Sequence, residues 1–241
     1  MGDNYYGWRT RIALLTPSVN TATEVEFNRL LPDGVSVHAA RLGLPSPVDV
    51  EAVRRMNDDV PQACALLADI EPDIAVYGVT SGSFVEGKGG DIDLEETVAD
   101  RLGVPAVATA AAARRAFDAL GIESIVIRTP YLNDINRTAK TFFEAYGYDV
   151  LEISGEEFET TADYGNSTPE GVYRAVRSMD HEAADAIFIS GMEYHGVPIL
   201  RDLEADLDKP VITAHSATLW DTLRTAEVDY SELDLGRLFE E

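Results

Sequence analysis

The chain has 241 residues, of which 45% are hydrophobic, and its 19 Lys and Arg stand against 43 Asp and Glu, which gives a formal net charge of −24. The apolar content excludes a disordered chain, and the negative charge argues against a surface that binds nucleic acid or anionic lipid. The single cysteine, Cys64, excludes a disulfide framework and a cysteine-based zinc site.

Eight short apolar or β-branched runs alternate with stretches of helical period, which is the pattern of parallel βα units. The predicted strands lie near 11–16, 35–40, 73–78, 104–108, 124–128, 148–153, 185–190 and 210–213. The predicted helices lie near 21–31, 48–70, 93–102, 109–120, 133–146, 168–180, 196–207 and 215–225. Eight such units fit two open sheets or one closed barrel, so their count alone does not decide between the two folds.

An internal repeat favours two open sheets. Three segment pairs match in the same order along the chain: 16–20 (TPSVN) with 129–133 (TPYLN), 73–79 (DIAVYGV) with 185–191 (DAIFISG), and 104–108 (VPAVA) with 209–213 (KPVIT). The repeat predicts an α/β fold of two pseudo-symmetric lobes, each a four-stranded parallel sheet flanked by helices. We place an N-terminal lobe at 1–120, a C-terminal lobe at 121–225 and an acidic tail at 226–241. Whether the last strand and helix pack across onto the first lobe stays open.

The loops at the carboxyl ends of the strands are where open α/β sheets bind ligands, so we expect the site after the strands ending near 16, 78, 128 and 190. The first-strand loops supply Ser18, Asn20 and Tyr131 at helix starts, which suits a carboxylate, although Ser18 and Asn20 are also ordinary helix-capping residue types. The third-strand loop, GVTSGSF, supplies Thr80 and Ser81. Their hydroxyls either bind an anion or belong to a plain Gly/Ser turn.

These motifs resemble the maleate cis-trans isomerase and arylmalonate decarboxylase group of the aspartate/glutamate racemase superfamily. The resemblance runs from RIALLTPSVNT through VYGVTSGSF, IRTPYLN, TPEGVYRA and FISGM to PVITAHSATLW. It implies a cleft between two lobes that holds a small dicarboxylate, with no metal and no organic cofactor. It also implies that Asn20 and Tyr131 contact substrate carboxylates and that Thr80 and Ser81 form an anion pocket.

The sequence departs from this group at its cysteines. The group's isomerases place one cysteine after the third strand of each lobe, and its decarboxylases keep the second. Those positions are Val79 and Gly191 here, which offer neither a proton nor a nucleophile. Glu193 and His195, in the loop after the 185–190 strand, are the candidate catalytic replacements, together with Tyr131. The alternative is that Glu193 faces solvent and His195 caps the next helix.

The remaining histidines are weaker candidates. His38 ends a predicted strand and His181 lies in an acidic connection, so both are expected to be structural. His215 follows the last strand and is a further candidate to line the cleft. No paired-histidine or Glu-x-x-His spacing indicates a metal site.

The sequence therefore predicts a cofactor-independent isomerase or decarboxylase that acts on a small dicarboxylate, with both family cysteines replaced. The alternative is a member of the same family that binds a carboxylate without changing it. A homo-oligomer is expected from the family precedent and from Leu- and Ala-rich helix faces. No segment approaches the roughly 18 apolar residues that span a bilayer, and the first residues lack the pattern of a secretory signal, so we expect a cytoplasmic protein without a membrane partner.

The charge also indicates the salt concentration at which the protein works. Lysine occurs only at 88, 140 and 209, and the small, acidic residue content is typical of proteins from salt-in halophiles, where molar salt screens the self-repulsion. The sequence thus predicts a halophilic protein whose melting temperature rises between dilute buffer and molar KCl.

Overall fold

A computed structural model describes residues 5–179 and 181–241, in which the chain forms two four-stranded parallel sheets. The first sheet has the order β2-β1-β3-β4, from β1 (Thr10–Pro17), β2 (Val35–Leu42), β3 (Ile74–Tyr77) and β4 (Ala106–Ala108). The second has the order β6-β5-β7-β8, from β5 (Ser124–Thr129), β6 (Asp149–Gly155), β7 (Ala186–Ile189) and β8 (Val211–Thr213). The shared strand order confirms the two-lobed fold and excludes the closed barrel.

Helices connect and cover both sheets. Those of the first lobe are α1 (Thr23–Leu30), α2 (Val50–Asn57), α3 (Val60–Leu67), α4 (Thr80–Phe84), α5 (Gly90–Leu102) and α6 (Thr109–Ala119). Those of the second are α7 (Asn133–Tyr146), α8 (Thr161–Gly165), α9 (Pro169–Arg177), α10 (Leu200–Leu207) and α11 (Ala214–Thr225). Three short 3-10 helices, Ala68–Ile70, Val197–Ile199 and Arg237–Glu240, complete the regular structure of the described residues.

The single helix expected over 48–70 is wrong, because the chain forms α2, α3 and a 3-10 turn there. Pro61 stands in the first turn of α3, where its missing N–H costs nothing, whereas in the middle of one long helix it would remove a hydrogen bond. The apolar pattern runs across the break and so hides it from a reading of periodicity.

Two short helices were not expected. The Gly/Ser-rich segment after β3 forms α4, all of whose residues are buried, and the segment after β6 forms α8. Thr160 caps α8 by accepting a hydrogen bond from the Asp163 N–H. Both helices are too short for a hydrophobic period to mark them in the sequence.

The lobes meet along α6 and α11. Ala110 to Ala113 of α6 are fully buried, so the two helices approach through small side chains. Arg115 on α6 binds Glu95 and Asp221, each at 2.6 Å, and Asp221 lies on α11. The strand β8 stays in its own sheet beside β7, while α11 packs onto the first lobe.

The acidic tail is attached to this core. Val228, Leu235, Leu238 and Phe239 are buried, and the 3-10 helix Arg237–Glu240 packs against α11. The tail therefore forms a cap and does not fray. Among the described residues, no helix is both long enough and apolar enough to cross a bilayer.

Candidate active site

A cleft opens between the lobes at the carboxyl ends of the strands. It is lined by residues that follow β1, β2, β3, β5, β6 and β7: Pro17, Val19, Asn20, Leu44, Val48, Gly78, Val79, Thr80, Ser81, Tyr131, Tyr164, Gly191, Met192 and Glu193. In each sheet the chain leaves its first strand to one side and later returns to the other, and such a switch point is where open α/β sheets form a crevice. The structure thus brings the four predicted loops to one place.

A cluster of hydroxyl groups forms one part of this cleft. The Tyr131 hydroxyl is within hydrogen-bonding reach of Thr80 and Ser190. The Thr80, Ser190 and Tyr164 oxygens are buried and lack a well-formed hydrogen bond to another group in the described chain. Native proteins rarely leave so many buried hydroxyls without a full set of partners, so this group is suited to an acceptor from outside.

Burial keeps the two phenols of the cleft protonated. Desolvation raises the pKa of Tyr131 to about 12, although the nearby hydroxyls of Ser190 and Thr80 act in the opposite direction. Desolvation also raises the pKa of Tyr164 well above its usual value. The two rings meet edge to face, with centroids 6.2 Å apart. At neutral pH both phenols therefore offer an O–H donor to a ligand.

Glu193 is the charged side chain among the residues that line the cleft. Its carboxylate accepts the Thr21 N–H at 2.9 and 2.8 Å from its two oxygens and the Thr21 hydroxyl at 2.7 Å. Thr21 lies just before α1, so the contact joins the two lobes. Glu193 is buried and lines the cleft, so it does not face solvent, and its catalytic role stays a prediction.

Asn20, in the first lobe, lies beside the loop that carries Glu193. Its side-chain oxygen accepts from the N–H groups of Ala22 and Thr23, as a capping residue does, while its amide donates to the Met192 carbonyl at 2.9 Å. Asn20 thus combines the capping role with a place in the cleft lining. It also holds the loop that carries Glu193.

Val79 and Gly191, which we expect to correspond to the family's cysteines, line the cleft but differ in backbone. Val79 is extended, with φ −138, whereas Gly191 has φ +118. A Cβ at Gly191 would lie 3.1 Å from Pro130 Cδ, so a side chain there is disfavoured by both backbone and space. Cys64 is buried in α3 among apolar residues and does not line the cleft.

Three other sequence candidates lie outside the cleft lining. Ser18 is exposed and accepts a hydrogen bond from the Leu44 N–H at 3.2 Å. His195 is half-buried, with Nε2 3.1 Å from the Gly165 carbonyl. His215 is buried behind the Met192 loop and faces Glu26. The roles assigned to Ser18 and His195 stay predictions.

Tyr164, Ser190 and Thr21 were missed by the sequence reasoning. Tyr164 lies on the unexpected helix α8, and Ser190 immediately precedes the position compared with the family's second cysteine. Thr21 follows Asn20 in the PSVNT motif and was overlooked because its partner, Glu193, is 172 residues away. Among residues 5–179 and 181–241, no three His, Cys, Asp or Glu side chains are grouped so as to hold a metal ion.

Two open parallel sheets of identical strand order, with a hydroxyl-lined cleft between them, define a duplicated α/β fold with an interlobe site. The family model described as arylmalonate decarboxylase matches residues 12–239, and the chain belongs to this family.

Characterised relatives cover nearly the whole chain. A maleate isomerase of Nocardia farcinica is 27% identical over 238 residues, 95% of this chain and 94% of its own. An arylmalonate decarboxylase of Bordetella bronchiseptica is 26% identical over 239 residues, 95% of this chain and 96% of its own.

Among solved structures, a cysteine-to-serine variant of the Nocardia farcinica maleate cis-trans isomerase, with a covalently bound succinylcysteine intermediate, superposes with a TM-score of 0.90. It is 24% identical and covers 95% of this chain and 98% of its own, which confirms the fold.

Proposed function

We propose that the protein is a cofactor-independent enzyme that acts on a small dicarboxylate, as an isomerase or a decarboxylase, in the cleft between its lobes. The observation that carries the proposal is the group of buried hydroxyls of Thr80, Ser190 and Tyr164 beside the Tyr131 phenol. Neutral donors in a water-poor cleft bind a carboxylate and stabilise charge that grows on its oxygens. The names of the relatives support a dicarboxylate.

Decarboxylation fits these residues best. When a malonate-type acid loses carbon dioxide, the electron pair of the broken C–C bond moves to the α-carbon and spreads onto the remaining carboxylate as an enediolate. The hydroxyls and the Tyr131 O–H stabilise that charge, and a proton must then reach the α-carbon. Solvent water supplies this proton, and Glu193, the carboxylate of the cleft lining, and the Tyr131 phenol are the candidate groups to pass it to the α-carbon.

Cis-trans isomerisation asks more of the site, because a nucleophile must add to the double bond before the bond can rotate. The Nocardia farcinica relative is described with a succinylcysteine, in which a thiol is bonded to substrate carbon. The cleft of this chain offers no thiol, since Cys64 lies in α3. We therefore place decarboxylation and α-proton exchange ahead of thiol-dependent isomerisation.

The walls of the cleft favour an acid that carries an apolar substituent. Val48, Leu44 and Val79 form apolar walls around the site. Such walls suit the substituent of a malonate such as methylmalonate.

The test is proton NMR of the purified protein in D2O and molar KCl with maleate, methylmalonate, phenylmalonate, aspartate and glutamate. We expect methylmalonate to yield deuterated propionate, with heat-killed protein as the blank. Thr80→Val is expected to weaken binding, whereas Glu193→Gln and Tyr131→Phe are expected to reduce turnover with affinity largely retained. His195→Ala tests the remaining catalytic candidate in the same assay. Turnover unchanged in all four variants would contradict the proposed site.

The second candidate is a protein that binds a carboxylate without converting it. The hydrogen bonds that the Glu193 carboxylate already accepts favour this candidate. All three close contacts of its carboxylate are to Thr21, so the group is held as a structural anion. A binder raises its melting temperature with a carboxylate but converts none of the acids. An enzyme converts at least one.

The environment and assembly are further proposals. A formal charge of −24 supports a halophilic protein, which we also propose to be cytoplasmic, and a melting temperature that does not rise from dilute buffer to molar KCl would contradict halophily. Sedimentation in the same salt tests the proposed homo-oligomer.

A further inference from the structure

Behind the loop of residues 191–193, a buried carboxyl group and a buried imidazole face each other. Glu26 on α1 and His215 on α11 approach with Oε2 3.2 Å from Nδ1. In the described part of the chain neither atom has a hydrogen-bond partner of good geometry, so the two are in contact but not well aligned. Two unprotonated acceptors do not settle at this distance without water, so the contact calls for a proton between them.

The other ring nitrogen faces a hydroxyl whose proton is already in use. His215 Nε2 lies 3.4 Å from Thr23 Oγ1, and that oxygen donates to the Met192 carbonyl at 2.9 Å. A hydroxyl has one proton, so Thr23 can interact favourably with Nε2 only by accepting from it.

We infer that Glu26 and His215 are positioning residues for the cleft, and that the proton they share fixes a hydrogen-bond chain through Thr23 to the Met192 carbonyl. The inference rests on the proposed function, because the Met192 loop forms one wall of the cleft and carries Glu193. The chain runs in one direction, from the carboxyl group to the ring, from the ring to the hydroxyl and from the hydroxyl to the carbonyl.

Loss of the shared proton reverses part of this chain. The ring hydrogen moves to Nδ1, where it meets the ionised Glu26, and Nε2 becomes an acceptor. Thr23 then has two acceptors, Nε2 and the Met192 carbonyl, for one proton. The loop keeps its contact with Asn20 but loses the one from Thr23 for part of the time.

The surroundings of Glu26 place this change near neutral pH. Burial raises the pKa of Glu26 to about 7, while the charges of His195 and Arg29 act in the opposite direction. The neighbouring strand β2 contributes Arg41, which is paired with Glu24. Glu26 therefore gains no ion pair from that strand.

The surroundings of His215 keep the ring neutral. Burial lowers its pKa to about 3, the negative charge of Glu193 opposes this, and His195 adds to it. The proton of the pair thus belongs to the Glu26 carboxyl group at moderately acidic pH. Glu193 and His195 act from the loop, and Arg29 acts from α1.

The first test uses ¹⁵N NMR of histidine-labelled protein in molar KCl to find which nitrogen of His215 carries hydrogen. The chain has four histidines, so single substitutions of the other three assign the signals. We expect hydrogen on Nε2 at about pH 6 and a shift toward Nδ1 as the pH rises through about 7.

Glu26→Gln tests whether the proton of Glu26 determines which nitrogen of His215 carries hydrogen. Its amide donates to Nδ1 at every pH, so hydrogen should remain on Nε2 up to about pH 8.5. Glu51→Gln, the same change at an exposed position on α2 away from His215, should keep the wild-type titration. Hydrogen on Nδ1 at pH 6, or a titration that Glu26→Gln does not alter, would overturn the inference.

The second test measures the dissociation constant for maleate at about pH 6 and pH 8.5. Thr23→Val should weaken binding by about tenfold, the value of one hydrogen bond, and Thr23→Ser should restore it. Wild-type affinity should fall several-fold at the higher pH, and that of Glu26→Gln should not. Wild-type affinity in Thr23→Val would overturn the positioning role. If the wild-type protein binds neither maleate nor methylmalonate at either pH, the proposed function is in error, while the NMR result still decides the proton arrangement.

Discussion

The loops after β3 and β7 occupy equivalent places in the two lobes but are built differently. After β3 the backbone is extended at Val79 and enters α4 at once, so this loop presents neutral hydroxyls. After β7 the chain turns through Gly191 at φ +118 and forms an irregular loop that presents the carboxylate of Glu193. Duplication of the fold thus places the loops, and each lobe supplies a different part of the site.

The two loops also differ in the hydrogen bonds that hold them. The first is fixed within its own lobe, since Ser83 donates to the Thr80 carbonyl and accepts from the Ala110 N–H. The second is fixed by the other lobe, through Asn20, Thr21 and Thr23. Changes at α1 are therefore expected to disturb the second loop and leave the first intact.

The largest expected difference comes from placing a cysteine in each loop. Gly191→Cys should cost about 3 kcal/mol, because it forces a side chain into an unfavourable backbone conformation and against Pro130. Val79→Cys should cost only about 1 kcal/mol, since the backbone is extended and little volume is lost. Denaturant unfolding in molar KCl measures both, and equal costs would mean that the two loops are equally adaptable.

Glu26, which lies behind the loop after β7, should make the stability of the protein depend on pH. The pKa of Glu26 is raised in the folded protein, so the folded state favours the neutral carboxyl group. The stability that this group contributes is therefore complete below the unfolded pKa of 4.5 and is lost as the pH rises through about 7. Glu26→Gln should therefore gain about 2 kcal/mol of stability over the wild-type protein between pH 5 and pH 8. The measurement is the difference between their unfolding free energies across this range, and a constant difference would contradict the raised pKa.

Within the first loop, Thr80 and Ser83 should respond in opposite directions. Ser83→Ala removes a hydroxyl with two buried partners and should cost about 1 to 2 kcal/mol. Thr80→Val removes a hydroxyl without a well-formed partner, so stability should be unchanged or rise by about 1 kcal/mol while carboxylate affinity falls. Thermal unfolding with and without maleate distinguishes the two, and a strongly destabilised Thr80→Val would show that the hydroxyl is structural.

The smallest effect on stability is expected at Gly165. Its φ is not positive, and an added Cβ would lie 2.7 Å from Glu193 Oε1, the mobile end of a side chain. Gly165→Ala should shift the Glu193 carboxylate slightly while it keeps its hydrogen bonds to Thr21, and should change stability by less than about 1 kcal/mol. Turnover in the NMR assay is the measurement, and an unchanged rate would argue against a role for the exact position of Glu193.

Much of this arrangement was predictable from local patterns. The eight strands follow from apolar runs bounded by turns, and the ordered repeats predict the two equal sheets, so the loops that meet in the cleft were foreseen. Asn20, Tyr131, Thr80 and Ser81 were found because their motifs follow directly after strands. The break between α2 and α3 was missed because the apolar pattern continues across it.

What the sequence by itself determined was therefore the duplicated α/β architecture and the edge of the sheets at which the cleft opens, because both depend on short-range periodicity and on the order of repeats. Only the tertiary structure decided which polar groups meet. Glu193 with Thr21, and His215 with Glu26, are pairs whose members lie more than 150 residues apart. Hydrogen bonds and burial between such groups arise from packing of the two lobes, which leaves no spacing signal in the sequence.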